Sequence, residues 1–213
     1  MITVIAGVNG AGKSSVLGAF LRSRDGAYFN PDEAARDLMR SQPGLTQEEA
    51  NGQAWLMGVM QLDRAIEQND DYILETTLGG NTIYQKLRAA MENGVSVRLV
   101  FCGLASEALH IERVRARVLR GGHDIPEAKI RQRWQQSRYH LCQLIPYCDA
   151  LVVYDNSHPL NDKGQPQPQR LLVLQQGQFL QPPPNPVPEW AKPIVMAALK
   201  RAEGLRSTAE IAN

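Results

Sequence analysis

The sequence predicts an α/β fold, a mostly parallel sheet flanked by helices that also form an arginine-rich lid. Three observations predict it. Short apolar runs alternate with longer stretches of helical periodicity. The first of these runs ends in a glycine-rich loop that opens a helix. A nearly neutral chain also conceals one strongly basic segment. With 213 residues, 43% of them hydrophobic, the chain can bury one full core with a few appended elements.

The elements follow in order. Ile2–Ala6 is a buried strand, and a helix runs from Lys13 to Phe20. Tyr28 and Phe29 form a strand-like pair, and Asp32–Met39 reads as a helix after Pro31. From Glu48 to Gln68 a longer helix places Trp55, Val59, Leu62 and Ile66 at helical spacing. Tyr72–Leu74 is a second strand ending at Glu75. Ile83–Asn93 is a helix stopped by Gly94, and Val95–Cys102 a β-branched strand. Ser106–Arg120 is helical and closes on Gly121-Gly122.

The next helix carries the signature of a capping box. Asp124 is the expected cap, Pro126 sits in the first turn, and Glu127 is the reciprocal carboxylate. Ile130, Trp134, Ser137 and Leu141 follow on one face. Ala150–Tyr154 is expected as the last strand of the main sheet. Beyond it lie a hairpin turning at Gln176-Gly177, an extended Pro182–Pro188 segment and a terminal helix over Ala191–Glu203. The expected division is a core over 1–158, with its lid around 104–145, and a tail over 159–213 packed on that core.

Composition narrows the function classes. Formal charge is +1, from 23 basic and 22 acidic residues, which gives no global attraction to nucleic acid or anionic lipid. Cys102, Cys142 and Cys148 form no CxxC pair, so a reducing compartment fits better than a disulfide framework or a zinc site. No apolar run approaches the roughly 18 residues of a membrane span, and no leader precedes the first strand. A cytoplasmic protein is expected.

The strongest motif is GVNGAGKSS, residues 7–15. Gly7, Gly12, Lys13 and Ser14 satisfy the phosphate-loop pattern with its strand before and helix after, so the α/β fold is expected to be that of a P-loop NTPase or kinase. Backbone N–H groups of Gly7, Asn9, Gly10, Ala11, Gly12 and Ser15 would curl round phosphates. Lys13 would reach the β/γ region, and Ser14 would hold Mg²⁺. The motif binds a nucleotide and leaves the acceptor open.

Two acidic stations follow. In YFNPDEAAR, Asp32 stands just beyond a strand end, where ligands bind in open α/β sheets. It is placed to take a proton from an acceptor hydroxyl. Capping of the helix by Asn30 or Asp32 is the other reading. In DYILETTLGG, Glu75 ends a strand where a carboxylate can touch metal-bound water or substrate, and Thr76 and Thr77 offer hydroxyls. A surface turn is the alternative there.

Between His110 and His140 eight basic residues face three acidic ones, so this segment is +5 while the remainder is −4. Arg113, Arg117 and Arg120 share one helical face, and Arg131 and Arg133 return on the next helix. Folded over the phosphate loop, such a hairpin would surround transferring phosphoryl oxygens and exclude water. A solvated basic face and a nucleic-acid backbone site remain as alternatives. Trp134 and Tyr139 form no stacking pattern, which disfavours nucleic acid.

Together GVNGAGKSS, FNPDEAAR, ETTLGG, RVRARVLRGGHDIPEAKIRQRW and LVVYDNS resemble the zeta toxin family of P-loop kinases, in its small bacterial branch, over roughly residues 1–158. The resemblance implies ATP and Mg²⁺ as cofactors and a sugar nucleotide such as UDP-N-acetylglucosamine as acceptor. It implies that Asp32 is the base and that Asn30, Glu75, Thr76, Thr77 and His123 lie with the substrate. Lid arginines would clamp the phosphates, Arg117 and Arg133 foremost with Arg113 and Arg120 behind, and Asn156 would lie where the ATP base packs. No antitoxin-like helical module precedes the kinase, so any inhibitor is expected to be a separate protein, or absent. A polynucleotide 5′-kinase and a P-loop ATPase acting as a switch are the rival readings.

Overall fold

The computed structural model describes residues 1–13 and 27–211. One seven-stranded sheet organises them, in the order β2-β3-β1-β4-β5-β6-β7. Strands β1 (Ile2–Ala6), β2 (Ala27–Phe29), β3 (Tyr72–Thr76), β4 (Val97–Gly103) and β5 (Ala150–Asp155) are mutually parallel. Strand β1 is buried along its whole length between β3 and β4, which is why it reads as an uninterrupted apolar run. This α/β arrangement is the P-loop kinase-like fold the sequence predicts.

The hairpin departs from expectation. Strands β6 (Gln169–Gln175) and β7 (Gln178–Gln181) continue the main sheet, β6 pairing antiparallel with β5. Strand β5 is therefore not the last of that sheet. Gln176 and Gly177 turn the hairpin with φ of 47° and 74°.

Helix α1 (Pro31–Ser41) begins with Pro31 in its first turn, and Asn30 caps it by accepting a 2.9 Å hydrogen bond from the Asp32 N–H. Helix α2 (Gln47–Gln68) is started by a capping box between Thr46 and Glu49. Its Val59 and Leu62 are buried as the spacing predicts, whereas Trp55 is 48% exposed. Helices α3 (Asn81–Glu92), α4 (Glu107–Val118) and α5 (Glu127–Leu144) follow.

Helix α5 starts differently from its sequence signature. Pro126 holds the cap position, and Asp124 accepts instead from the neighbouring Ile125 N–H. Glu127 pairs outward with Arg115, so no reciprocal box forms.

After β7 a short 3₁₀ turn (Glu189–Ala191) leads into α6 (Lys192–Ile211). Trp190, Ile194, Val195 and Ala198 join the same buried cluster as β1 and β4. A Cβ on Gly103 would lie 2.2 Å from the Trp190 ring, so β4 ends in glycine where the tail packs against it. The tail thus shares the core of the sheet. Among the described residues no helix is long and apolar enough to cross a membrane.

Candidate active site

The phosphate loop leaves β1 at Gly7 and is held from below. A Cβ on Gly7 would come 2.4 Å from the Cys102 carbonyl oxygen, and one on Gly10, at φ +82°, 2.9 Å from the His110 carbonyl oxygen. Only glycine fits either place. Three buried side chains then fix the loop's carbonyls. His110 Nδ1 lies 2.8 Å from the Asn9 oxygen, while Asn156 Nδ2 and Cys102 Sγ donate to the Ala11 oxygen at 2.9 and 3.1 Å.

Those supports have their own electrostatics. Burial, with Lys13 and Arg113 nearby, pushes the His110 imidazole down to about 4, so it is neutral. Facing a carbonyl, its Nδ1 carries the hydrogen and donates. Burial pushes the Cys102 thiol up to about 12, and all three cysteines are free. Asn156 is 1% exposed beneath the loop. It supports the cradle through its bond to the Ala11 oxygen.

Lys13 lies at the mouth of the loop. Its Nζ donates to the Gly7 oxygen at 2.9 Å and sits 3.5 Å from Glu75 Oε1. Glu75 is the penultimate residue of β3, beside β1, and is itself buried. Its other oxygen accepts from Tyr28 Oη at 3.0 Å and from Asn30 Nδ2 at 3.3 Å. Burial and the Glu75 charge raise the Tyr28 phenol far above its ordinary value, so it stays a donor. The adjacent hydroxyls of Thr76 and Thr77 accept from the N–H groups of Leu78 and Gly79, shaping the turn that lines the cleft.

Of the two capping residues the sequence offers at α1, Asn30 is the one used. The Asp32 carboxylate is not used as a cap and stays exposed in the cleft. Across from it α5 contributes Arg133, whose Nη1 donates a 2.7 Å hydrogen bond to Asn9 Oδ1. Burial lowers the Arg133 guanidinium from its ordinary value and the Asp32 charge opposes that shift.

The other arginines point elsewhere. Arg117 folds back on its own loop, donating to the His123 oxygen at 3.2 Å with its stem against Gly122. Arg113 donates to the His158 oxygen, and its Cβ lies behind Gly10. Arg120 is exposed and lines no part of the cleft. Of these four arginines, Arg133 is the one that lines the cleft. Ser14 and Ser15 lie outside the described residues.

The cleft has a volume of about 990 Å³ and takes in Asn9, Lys13, Asp32, Glu75, His123 and Arg133. It also takes in residues that the motifs missed. Lys129, Gln132 and Gln136 join Arg133 on one helical face at i, i+3, i+4 and i+7, a periodicity readable once that face is known to be polar. Tyr28, behind Glu75, reads in the sequence only as part of a strand-like pair.

A sheet ordered 2-3-1-4-5 with this loop at the end of β1 defines a P-loop nucleotide-binding protein of kinase-like fold. Residues 2–141 match the AAA domain family, and the chain belongs to it. An uncharacterized protein of Haemophilus influenzae is 33% identical over 128 residues, 60% of this chain and 88% of that one. Among solved structures, the AvrRxo1-ORF1:-ORF2 complex with ATP is similar with a TM-score of 0.61 at 16% identity, over 93% of this chain. The present chain spans 63% of the length of that one. The PezAT chromosomal toxin–antitoxin system of Streptococcus pneumoniae is similar with a TM-score of 0.50 at 13% identity, over 72% of this chain and 66% of that one. At these identities the likeness is one of fold.

Proposed function

We propose that the protein is an ATP-dependent kinase of the zeta toxin type, transferring the γ-phosphate to a hydroxyl of a nucleotide-linked small molecule. One observation carries this reading. An exposed carboxylate, Asp32, and a half-buried guanidinium, Arg133, line the cleft that contains Lys13 of the phosphate loop. Phosphoryl transfer to a hydroxyl uses a carboxylate in this place to accept the acceptor's proton.

The residues fit the nucleotide. Glycines at 7 and 10 let the loop lie against the Cys102 and His110 carbonyls, and Lys13 is aimed along the loop by the Gly7 oxygen. When bound, ATP supplies the phosphoryl group and Mg²⁺ offsets its charge. Magnesium ordinarily takes one or two protein ligands, and Ser14 is the one proposed here, with Glu75 placed toward metal-bound water or substrate. Asp32 accepts the proton of the attacking hydroxyl, Arg133 stabilises charge on the transferring oxygens, and Tyr28 and Asn30 keep Glu75 oriented.

UDP-N-acetylglucosamine is the acceptor suggested by the zeta toxin resemblance. Two similar structures are of complexes, AvrRxo1-ORF1:-ORF2 and PezAT, and on that ground the reading includes a separate inhibitory partner. Three free thiols and use of ATP accord with a cytoplasmic setting.

The test incubates the protein with Mg²⁺, labelled ATP and a metabolite extract, then identifies which molecule gains phosphate. A phosphorylated acceptor that disappears with Asp32→Asn is the expected result. Release of free phosphate alone, unchanged in Asp32→Asn, would overturn the reading.

A further inference from the structure

Helix α2 contains two glycines with opposite explanations. A Cβ on Gly58 would come 2.6 Å from the Phe29 ring, so the packing of β2 against α2 demands glycine. A Cβ on Gly52 would meet nothing within 4 Å. Glycine in a helix interior is destabilising relative to alanine, and nothing in the protein's own packing offsets that at Gly52. What distinguishes the position is its place in the wall of the cleft.

Trp55 stands beside it. Residues three apart lie on one face of a helix, and a long helical side chain covers the turn N-terminal to its own Cα. The two other tryptophans are occupied: Trp190 is buried and donates to Asp155, and the Arg138 guanidinium lies 3.4 Å from the Trp134 ring centre. Trp55 is instead 48% exposed and lines the cleft. A Cβ built on Gly52 would meet no atom within 4 Å, the Trp55 indole included, so the helix backbone there is open in the wall of the cleft. Amide side chains of Gln47 and Asn51, hydrogen-bonded to each other at 3.0 Å, edge the same stretch of wall.

We propose that Trp55 and the bare backbone at Gly52 form a slot for a nucleobase of the acceptor. The inference rests on the kinase reading, in that the cleft holds an acceptor, and it names the part of that acceptor recognised by α2. A flat aromatic ring stacks on an indole beside open backbone, and base–aromatic stacking tolerates different bases because each has a π-face. The amides of Gln47 and Asn51 are suited to the polar edge of such a ring.

The test measures binding by calorimetry to protein saturated with Mg²⁺ and a non-hydrolysable ATP analogue. Uridine and adenosine monophosphates are the probes, and ribose 5-phosphate is the base-free control. At least one mononucleotide should bind about tenfold or more tighter than ribose 5-phosphate. Trp55→Ala should weaken that binding about 5- to 100-fold, and Gly52→Ala should weaken it in the same direction. Gly52→Ala should also melt about 1–4 °C higher, which separates lost binding from lost folding.

Equal binding of ribose 5-phosphate, or unchanged affinity in both variants, overturns the slot. A parallel fall in affinity for the ATP analogue also overturns it, by assigning the slot to the donor. Because the measurement requires no phosphoryl transfer, failure of the kinase reading shows separately, as an absent phosphorylated product.

Discussion

Arg133 on α5 is tied to Asn9 of the phosphate loop by a 2.7 Å hydrogen bond between residues 124 positions apart. That bond fixes a guanidinium at the loop's mouth before any ligand arrives, and preorganised charge of this kind accelerates transfer because nothing need reorganise in the transition state. Arg133→Ala should lower kcat about 10²- to 10³-fold while ATP affinity changes little. Asn9→Ala should cost less, because it loosens the guanidinium without removing it. Steady-state kinetics with the identified acceptor checks both, and equal kcat in wild type and Arg133→Ala would remove Arg133 from the mechanism.

Arg117 should behave in the opposite way. Its guanidinium holds the His123 carbonyl, and its stem packs where a Cβ on Gly122 would come within 2.7 Å. Arg117→Ala should therefore destabilise the protein by about 1–3 kcal/mol through the lost charge-assisted bond and packing. Its kcat per folded molecule should stay within about threefold of wild type. Denaturation curves and kinetics on the same preparation separate the two, and a large loss of kcat without loss of stability would return Arg117 to the site.

The contrast between these arginines marks where the sequence stops being legible. The parallel strands, the loop at the end of β1, and the helices between them follow from periodicity and glycine placement. Asp32 was legible because a polar residue stands where a strand has just ended. Arg113, Arg117 and Arg120 share a face by spacing, but spacing does not say which way that face turns. The 119–126 connection and its Gly121, at φ +88°, set that direction, and they turn Arg117 back on the loop. The hairpin was legible as two strands, while its attachment to β5 depends on which strand edge is left open. Tyr28 gains its meaning from Glu75, a neighbour distant in sequence.

Asp32→Asn isolates proton transfer from folding. Asn30 supplies the side-chain cap of α1, so the substitution keeps that hydrogen bond and removes one charge from the first helical turn. The expected cost in stability is about 0.3–1 kcal/mol. The expected cost in kcat is about 10²- to 10⁴-fold, the range of a lost general base. Titration with the non-hydrolysable ATP analogue should give an affinity within about twofold of wild type. A variant that transfers phosphate at the wild-type rate would leave Asp32 without a catalytic role.

His110 links the phosphate loop to pH. It is neutral in the fold, pushed down to about 4 from the 6.5 of a free histidine. The unfolded chain therefore takes up this proton first as pH falls, and the folded state is disfavoured wherever only the unfolded state is protonated. Its contribution to stability is present in full above pH 6.5, declines as pH falls towards about 4, and then levels off. The size is about 3 kcal/mol for a shift of this extent. His110→Gln should cost stability at neutral pH, by loss of the bond to the Asn9 carbonyl, yet show a shallower decline between pH 6.5 and 4. Urea unfolding of both proteins across that range checks it, since carboxylates common to both cancel in the difference. Parallel curves would mean that the imidazole titrates as freely in the fold as outside it, and that the loop is not held by a neutral histidine.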